Sequence, residues 1–124
     1  RIEFYKRMLA AKKDADLDAI VAELEDLSGP MPRSSRTLLR LLKLKLRAAR
    51  AGLRSVAERS GGVMEVAFQA KTKVDPAQFQ AISRQYQGRI RFFSTPEGDG
   101  FRVTLGRIDA LEWLDKFLSS LVVK

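Results

Sequence analysis

Two groups of charged side chains have the types and spacing for chemistry or recognition. The stretch VAELEDLSGPMP, Val21 to Pro32, gathers Glu23, Glu25 and Asp26 just before a Gly-Pro-Met-Pro break. A carboxylate pair can serve acid–base catalysis when burial raises one of its pKa values. Glu23 and Asp26 are three apart on one side of a helix, with Glu25 on another side. They lie near the C-terminus of that helix, where the dipole disfavours negative charge. A placement that costs stability fits either a wet surface or a use by a partner. The second group is a stripe of cations, Arg33, Arg36, Arg40, Lys43, Arg47 and Arg50, spaced three or four apart. One helical face of that kind can neutralise phosphates, and any such binding would weaken steeply with salt. It can equally be a solvated face.

The totals narrow the choice. The chain has 124 residues, 45% of them hydrophobic, and a net charge of +8. That is the size of one domain, 1–124, with enough apolar content for a core. It contains no histidine and no cysteine. The commonest general base, the commonest metal ligand, thiolate nucleophiles and disulfides are therefore absent, and the cysteine usage points to a reducing cytoplasm. No apolar run reaches membrane-spanning length. No phosphate loop is present: KTK at Lys71 has no glycine around it, and GDG at Gly98 precedes a strand, where a hairpin turn is the better reading. No base, nucleophile or metal ligand accompanies the acids, so the expectation is a non-enzymatic domain without cofactor or metal. Charge is segregated. Asp14 to Asp26 carries −6, and Arg33 to Arg59 carries +8. The chain opens at Arg1, without methionine and already in helical pattern, which reads as a piece from the C-terminal end of a longer protein.

The elements that must hold these groups follow from periodicity. Ile2, Tyr5, Met8 and Leu9 predict a helix from Arg1 to about Lys12. Asp16 is a candidate N-cap for a second helix that buries Leu17, Ile20, Val21, Leu24 and Leu27 and ends near Ser28. A third runs from about Ser34 to Ala51 with Gly52 as its C-terminal cap. It carries the cations on one face and Leu38, Leu41, Leu42, Ala48 and Ala49 on the other, with Lys45 falling inside the apolar arc. Then LRSVAERS, Gly61-Gly62 and VMEVAFQ predict a hairpin with Met64, Val66 and Phe68 turned inward. Asp75 and Pro76 open a fourth helix with Phe79, Ile82 and Tyr86, closed by Gly88. RIRFFS, a TPEGDG turn and FRVTL predict a second hairpin. A last helix, Ile108 to about Leu121, buries Leu111, Leu114, Phe117, Leu118 and Leu121, with Trp113 in the core or at its edge. Three helices followed by two hairpin-helix units predict an α+β fold, an antiparallel sheet packed by helices. No aromatic lies between Arg33 and Arg59 to stack on bases, and Phe68, Phe79, Phe92, Phe101 and Phe117 sit at core-periodic positions. Arg91 and Phe93, on the outer face of a strand, are the exception.

The motifs RIEFYKRMLAAK, AELEDLSGPMP, RTLLRLLKLKLRAARAGLRSV, GGVMEVAF, VDPAQF and LEWLDKFL, in this order and spacing, resemble the C-terminal domain of the bacterial transcription-repair coupling factors. The resemblance spans nearly the whole chain. It implies a longer parent, an ATP-driven, Mg-dependent DNA translocase that removes stalled RNA polymerase and recruits UvrA for nucleotide excision repair. This domain would be its non-catalytic, autoinhibitory regulator, packed on a UvrB-like module of the same parent to hide the UvrA-binding surface and restrain the motor. The family motif, roughly Glu-Leu-x-Asp-Arg-Phe-Gly-Pro-x-Pro, places its arginine-facing acids at Glu23 and Asp26, with register set by Gly29, Pro30 and Pro32. Leu27 and Ser28 stand where the family has Arg and Phe. The alternative is a nucleic-acid-binding module using Arg36, Arg40, Lys43, Arg47 and Arg50.

Overall fold

The computed structural model describes residues 2–121. Among them are five helices and four strands: α1 Ile2–Ala10, α2 Asp14–Ser28, α3 Arg33–Arg50, β1 Leu53–Arg59, β2 Val63–Phe68, α4 Pro76–Gln85, β3 Ile90–Thr95, β4 Gly98–Thr104 and α5 Ala110–Ser120. The α+β order is the expected one. The strands form one antiparallel sheet in the order β1-β2-β4-β3. The chain divides into two compact units, residues 1–46 and 47–124, with the boundary inside α3.

The first unit is a helical cluster. Met8, Leu17, Ile20 and Leu42 form its buried centre, and Phe4, Ala11, Leu38, Leu39 and Leu46 pack against it. Met8 of α1 is buried as expected, but it packs with Phe4 and with Ala11 just past the helix, while Ile2 and Leu9 face solvent. Arg1, the expected first helical residue, lies outside the described residues. Helix α2 starts three residues earlier than predicted, its N-cap position falling at Lys13 instead of Asp16. Lys13, in extended conformation, precedes it and gives no side-chain cap, while Asp14 and Asp16 both sit in its first turn. Acids there are favoured by the positive end of the helix dipole, which explains their placement without a cap. Leu27, expected inside, is 72% exposed. Along α3, Leu42 and Leu44 are buried, whereas Lys45 is exposed despite its place in the apolar arc.

In the second unit Met64, Val66 and Phe68 point inward as alternation required, and Ala48 at the end of α3 is also buried. Ala49, assigned to the apolar face, is exposed. Phe101 of β4 is the hub. Its ring lies 5.5 Å from Phe117, 6.3 Å from Trp113 and 6.4 Å from Phe68. Trp113 stacks on Phe117 and donates its indole N–H to the Tyr86 hydroxyl at 2.8 Å. Phe79 of α4 meets Phe68 and Phe92 edge-on, so α4 and α5 contact the same sheet face. Asp75 caps α4 and Asp109 caps α5, each accepting from a backbone N–H of the first turn. Cap Asp109 moves the start of α5 past Ile108, which is 48% exposed. The second hairpin turns on Pro96-Glu97 alone, and Gly98-Asp99-Gly100 already belongs to β4 rather than to the turn. Leu111, expected in the core, is only half-buried.

Candidate functional site: an acidic corner at the end of α2

The last turns of α2 carry Glu23, Glu25 and Asp26 and no base. The helix is stopped by Gly29, whose φ of 78° is open to glycine and strained for other residues. The Gly29 N–H closes the last turn on the Glu25 carbonyl at 2.8 Å. Pro30, Met31 and Pro32 then lead into α3.

The three acids have different partners. Glu23 Oε2 accepts from an Arg7 guanidinium N–H at 2.7 Å, across from α1. Both side chains are about half exposed, at 51% and 42%. The hydrogen bond from Arg7 holds the Glu23 carboxyl below its ordinary range, and the same bond raises Arg7. Glu25, on another side of the helix from Glu23 and Asp26, uses a carboxylate oxygen to accept from the Met31 N–H at 3.4 Å, steadying the Gly-Pro-Met-Pro turn. Asp26 is exposed and forms no ion pair among the described residues. Beside the acids, Phe4, Tyr5, Met8, Leu24 and the Ser28–Pro32 turn wall a small apolar cleft of about 30 Å³.

The cationic stripe of α3 is divided by the unit boundary. In the first unit Lys43 Nζ donates to Asp18 Oδ1 at 2.7 Å, while Arg36 and Arg40 are exposed. In the second unit Arg47 donates to the Asp115 carboxylate and to the Ser119 hydroxyl, each at 2.5 Å. Arg50 is exposed. So the acidic and basic blocks of the sequence answer each other in part, through Asp18. Arg7 as the partner of Glu23 was not readable from the sequence. The two residues lie on different helices, and neither has a local motif that marks the other.

A helical cluster, then a four-stranded antiparallel sheet with two helices against one face, together with an acidic helix end at a Gly-Pro turn, define the class as an α+β domain. Its family is now clear: the chain belongs to the TRCF domain family, whose model matches residues 1–79. It is 30% identical over 98% of its length to the transcription-repair-coupling factor of Escherichia coli K12. It is 38% identical over 74% of its length to that of Haemophilus influenzae. The chain spans 10% and 8% of those two relatives. The same fold is seen in the crystal structure of a C-terminal domain of transcription-repair coupling factor, with a TM-score of 0.63 and 18% identity over 94% of this chain and 73% of the other. No described helix is long and apolar enough to cross a membrane.

Proposed function

We propose that this domain is a non-catalytic regulator that docks through Glu23 and Asp26 onto arginines of a UvrB-like module in the same parent chain. Docking hides the surface that UvrA binds and restrains an ATP-driven DNA translocase until RNA polymerase engages. ATP and Mg belong to that motor, and the parent acts in transcription-coupled nucleotide excision repair in the cytoplasm. The observation that carries this reading is the ion pair of Glu23 with Arg7 at 2.7 Å. It supports the view that this carboxylate takes a guanidinium in good geometry at an exposed corner. Asp26, one turn on, is left for a second. Charge-assisted Arg–carboxylate bonds are the strong, directional kind, and they weaken with salt as a releasable contact must. A docked partner arginine must share Glu23 with Arg7 or displace it. The competing reading, nucleic-acid binding by α3, is the weaker one because Lys43 and Arg47 are already held by Asp18 and Asp115.

The test is titration of this domain against the parent's isolated UvrB-like module. Glu23→Ala with Asp26→Ala lowers the affinity at least tenfold while the circular dichroism spectrum stays unchanged. Unaltered affinity in that double variant would falsify the docking site. A full parent lacking this domain that binds UvrA no better than the intact protein removes the masking role.

A further inference from the structure

The second unit holds a surface that the docking reading does not use. Register puts Ser55, Ala57 and Arg59 of β1, Val63, Glu65 and Ala67 of β2, Gly100, Arg102 and Thr104 of β4, and Arg91 and Phe93 of β3 on one face of the sheet. This is the face opposite Phe68 and Phe101, against which α4 and α5 pack.

Its centre is a fixed cluster of arginines. Glu65, whose side chain is only 12% exposed, accepts from Arg59 at 2.9 Å and from Arg102 at 2.7 Å. The bonds from Arg59 and then Arg102 hold the Glu65 carboxyl below its ordinary range. Each guanidinium uses one donor nitrogen on Glu65 and keeps further N–H groups for solvent, with side chains 56% and 61% exposed. Arg91 sits directly across the ladder from Arg102 and forms no ion pair among the described residues. Like charges placed directly opposite disfavour a sheet, and Glu65 answers Arg102 of this pair but not Arg91. Three arginines around one glutamate leave a positive excess.

Next to that excess lies an aromatic platform. Phe93 is paired with Gly100, and a Cβ at Gly100 would run into the Phe93 ring, so the ring lies over the bare glycine. The Arg102 guanidinium is 6.0 Å from the centre of the ring. Arg59, Arg102 and Arg91 stand on three strands that span three inter-strand spacings of ~4.8 Å each, room for two or three phosphates of an extended strand.

The geometry points to a binding site for single-stranded nucleic acid on this face. Phosphates lie along Arg59, Arg102 and Arg91, and one base stacks on Phe93. Base–aromatic stacking beside a cationic track is the general physics of single-strand binding. Reading the bases of a duplex would need an element that enters a groove, whereas a ring on a sheet face meets the open face of an unpaired base. An acidic peptide would find the cations and have no use for the ring.

The experiment is fluorescence anisotropy of the 124-residue chain with a labelled 12-nucleotide oligo-dT across a salt series. Binding weakens with salt, and Arg91→Ala lowers affinity several-fold and reduces the log–log salt slope by about 0.7. Phe93→Leu keeps an apolar side chain over Gly100 and lowers affinity about fivefold or more at unchanged slope. Arg36→Ala with Arg40→Ala leaves binding as it was. The site is overturned if oligo-dT does not bind at low salt, or if the α3 pair abolishes binding while Arg91→Ala and Phe93→Leu do not. Displacement of oligo-dT by poly-glutamate at equal charge concentration also overturns it, in favour of an acidic protein partner. None of these outcomes depends on whether Glu23 and Asp26 dock on another module.

Discussion

The acidic corner of the first unit and the arginine face of the second are built from the same bond with opposite remainders. At the corner one arginine, Arg7, meets Glu23, and Asp26 is left over. On the sheet two arginines meet one Glu65, and Arg91 is left over. Counting charged residues makes both regions look merely charged. Subtracting the internal pairs gives each a sign: negative for the corner, positive for the sheet. The scaffolds differ in the same way. The corner is a helix end stopped by glycine, whereas the sheet face is held from beneath by an aromatic core.

The strongest way to test that contrast is to remove each scaffold. Phe101→Ala empties the hub under the sheet and costs about 3–5 kcal/mol, against about 2–5 kcal/mol for Leu17→Ala in the core of the helical cluster that carries the corner. Urea denaturation followed by far-ultraviolet circular dichroism reads both. A smaller loss at Phe101 than at Leu17 would mean that the aromatic cluster does not dominate its unit.

The two glycines sharpen the comparison at an intermediate scale. At Gly100 a methyl group meets the Val66 carbonyl oxygen as well as Phe93, so Gly100→Ala destabilises by roughly 1–3 kcal/mol through forced repacking. At Gly29 nothing lies within 4 Å of the added atom. Gly29→Ala therefore suffers only the left-handed backbone strain, about 1 kcal/mol. Equal midpoints for the two variants in thermal melts would contradict this assignment of causes.

Acid titration gives the smallest effect. Glu23 and Glu65 are both lowered from the ordinary value of 4.5. A lowered folded-state pKa means stability that is present above 4.5 and fades as pH falls through the lowered value. The effect is modest because the arginine partners are exposed and screened by salt. Glu65→Gln flattens the loss between pH 5 and pH 2 more than Glu23→Gln, since two arginines hold Glu65. Denaturation midpoints across that pH range check the order.

Local rules made the second unit the more legible one. Alternation at Met64, Val66 and Phe68, and the Asp75-Pro76 start of α4, are decided by neighbours within a few residues. The first unit was harder in phase. The reading of α1 took Ile2, Tyr5, Met8 and Leu9; the packing kept Met8 but joined it to Phe4 and Ala11, because both lines are apolar at helical spacing and only the facing helices choose between them. Asp16 has the side chain of a cap, but the chain enters α2 through extended Lys13. At the candidate sites the residue types were visible and the pairings were not. Arg7 with Glu23, Lys43 with Asp18 and Arg47 with Asp115 are separated by 16, 25 and 68 residues. Nothing in local spacing encodes a contact that the tertiary fold creates. Arg91 and Phe93 were readable as outward-facing, since a strand fixes direction, whereas the Arg59–Glu65–Arg102 cluster beside them required the register of three strands.

Trp113, the chain's only tryptophan, gives the molecule an optical asymmetry. Its indole is 5% exposed, stacked on Phe117 and hydrogen-bonded to Tyr86, all within residues 47–124. Its emission therefore starts from an apolar, rigid setting and shifts to the red when that packing opens. The helical cluster of residues 1–46 contains no indole of its own. Intrinsic fluorescence is thus a one-channel reporter of the sheet, and dichroism at helical wavelengths supplies the second channel for the cluster. Any separation between the two signals during unfolding measures how far one half of the chain comes apart without the other.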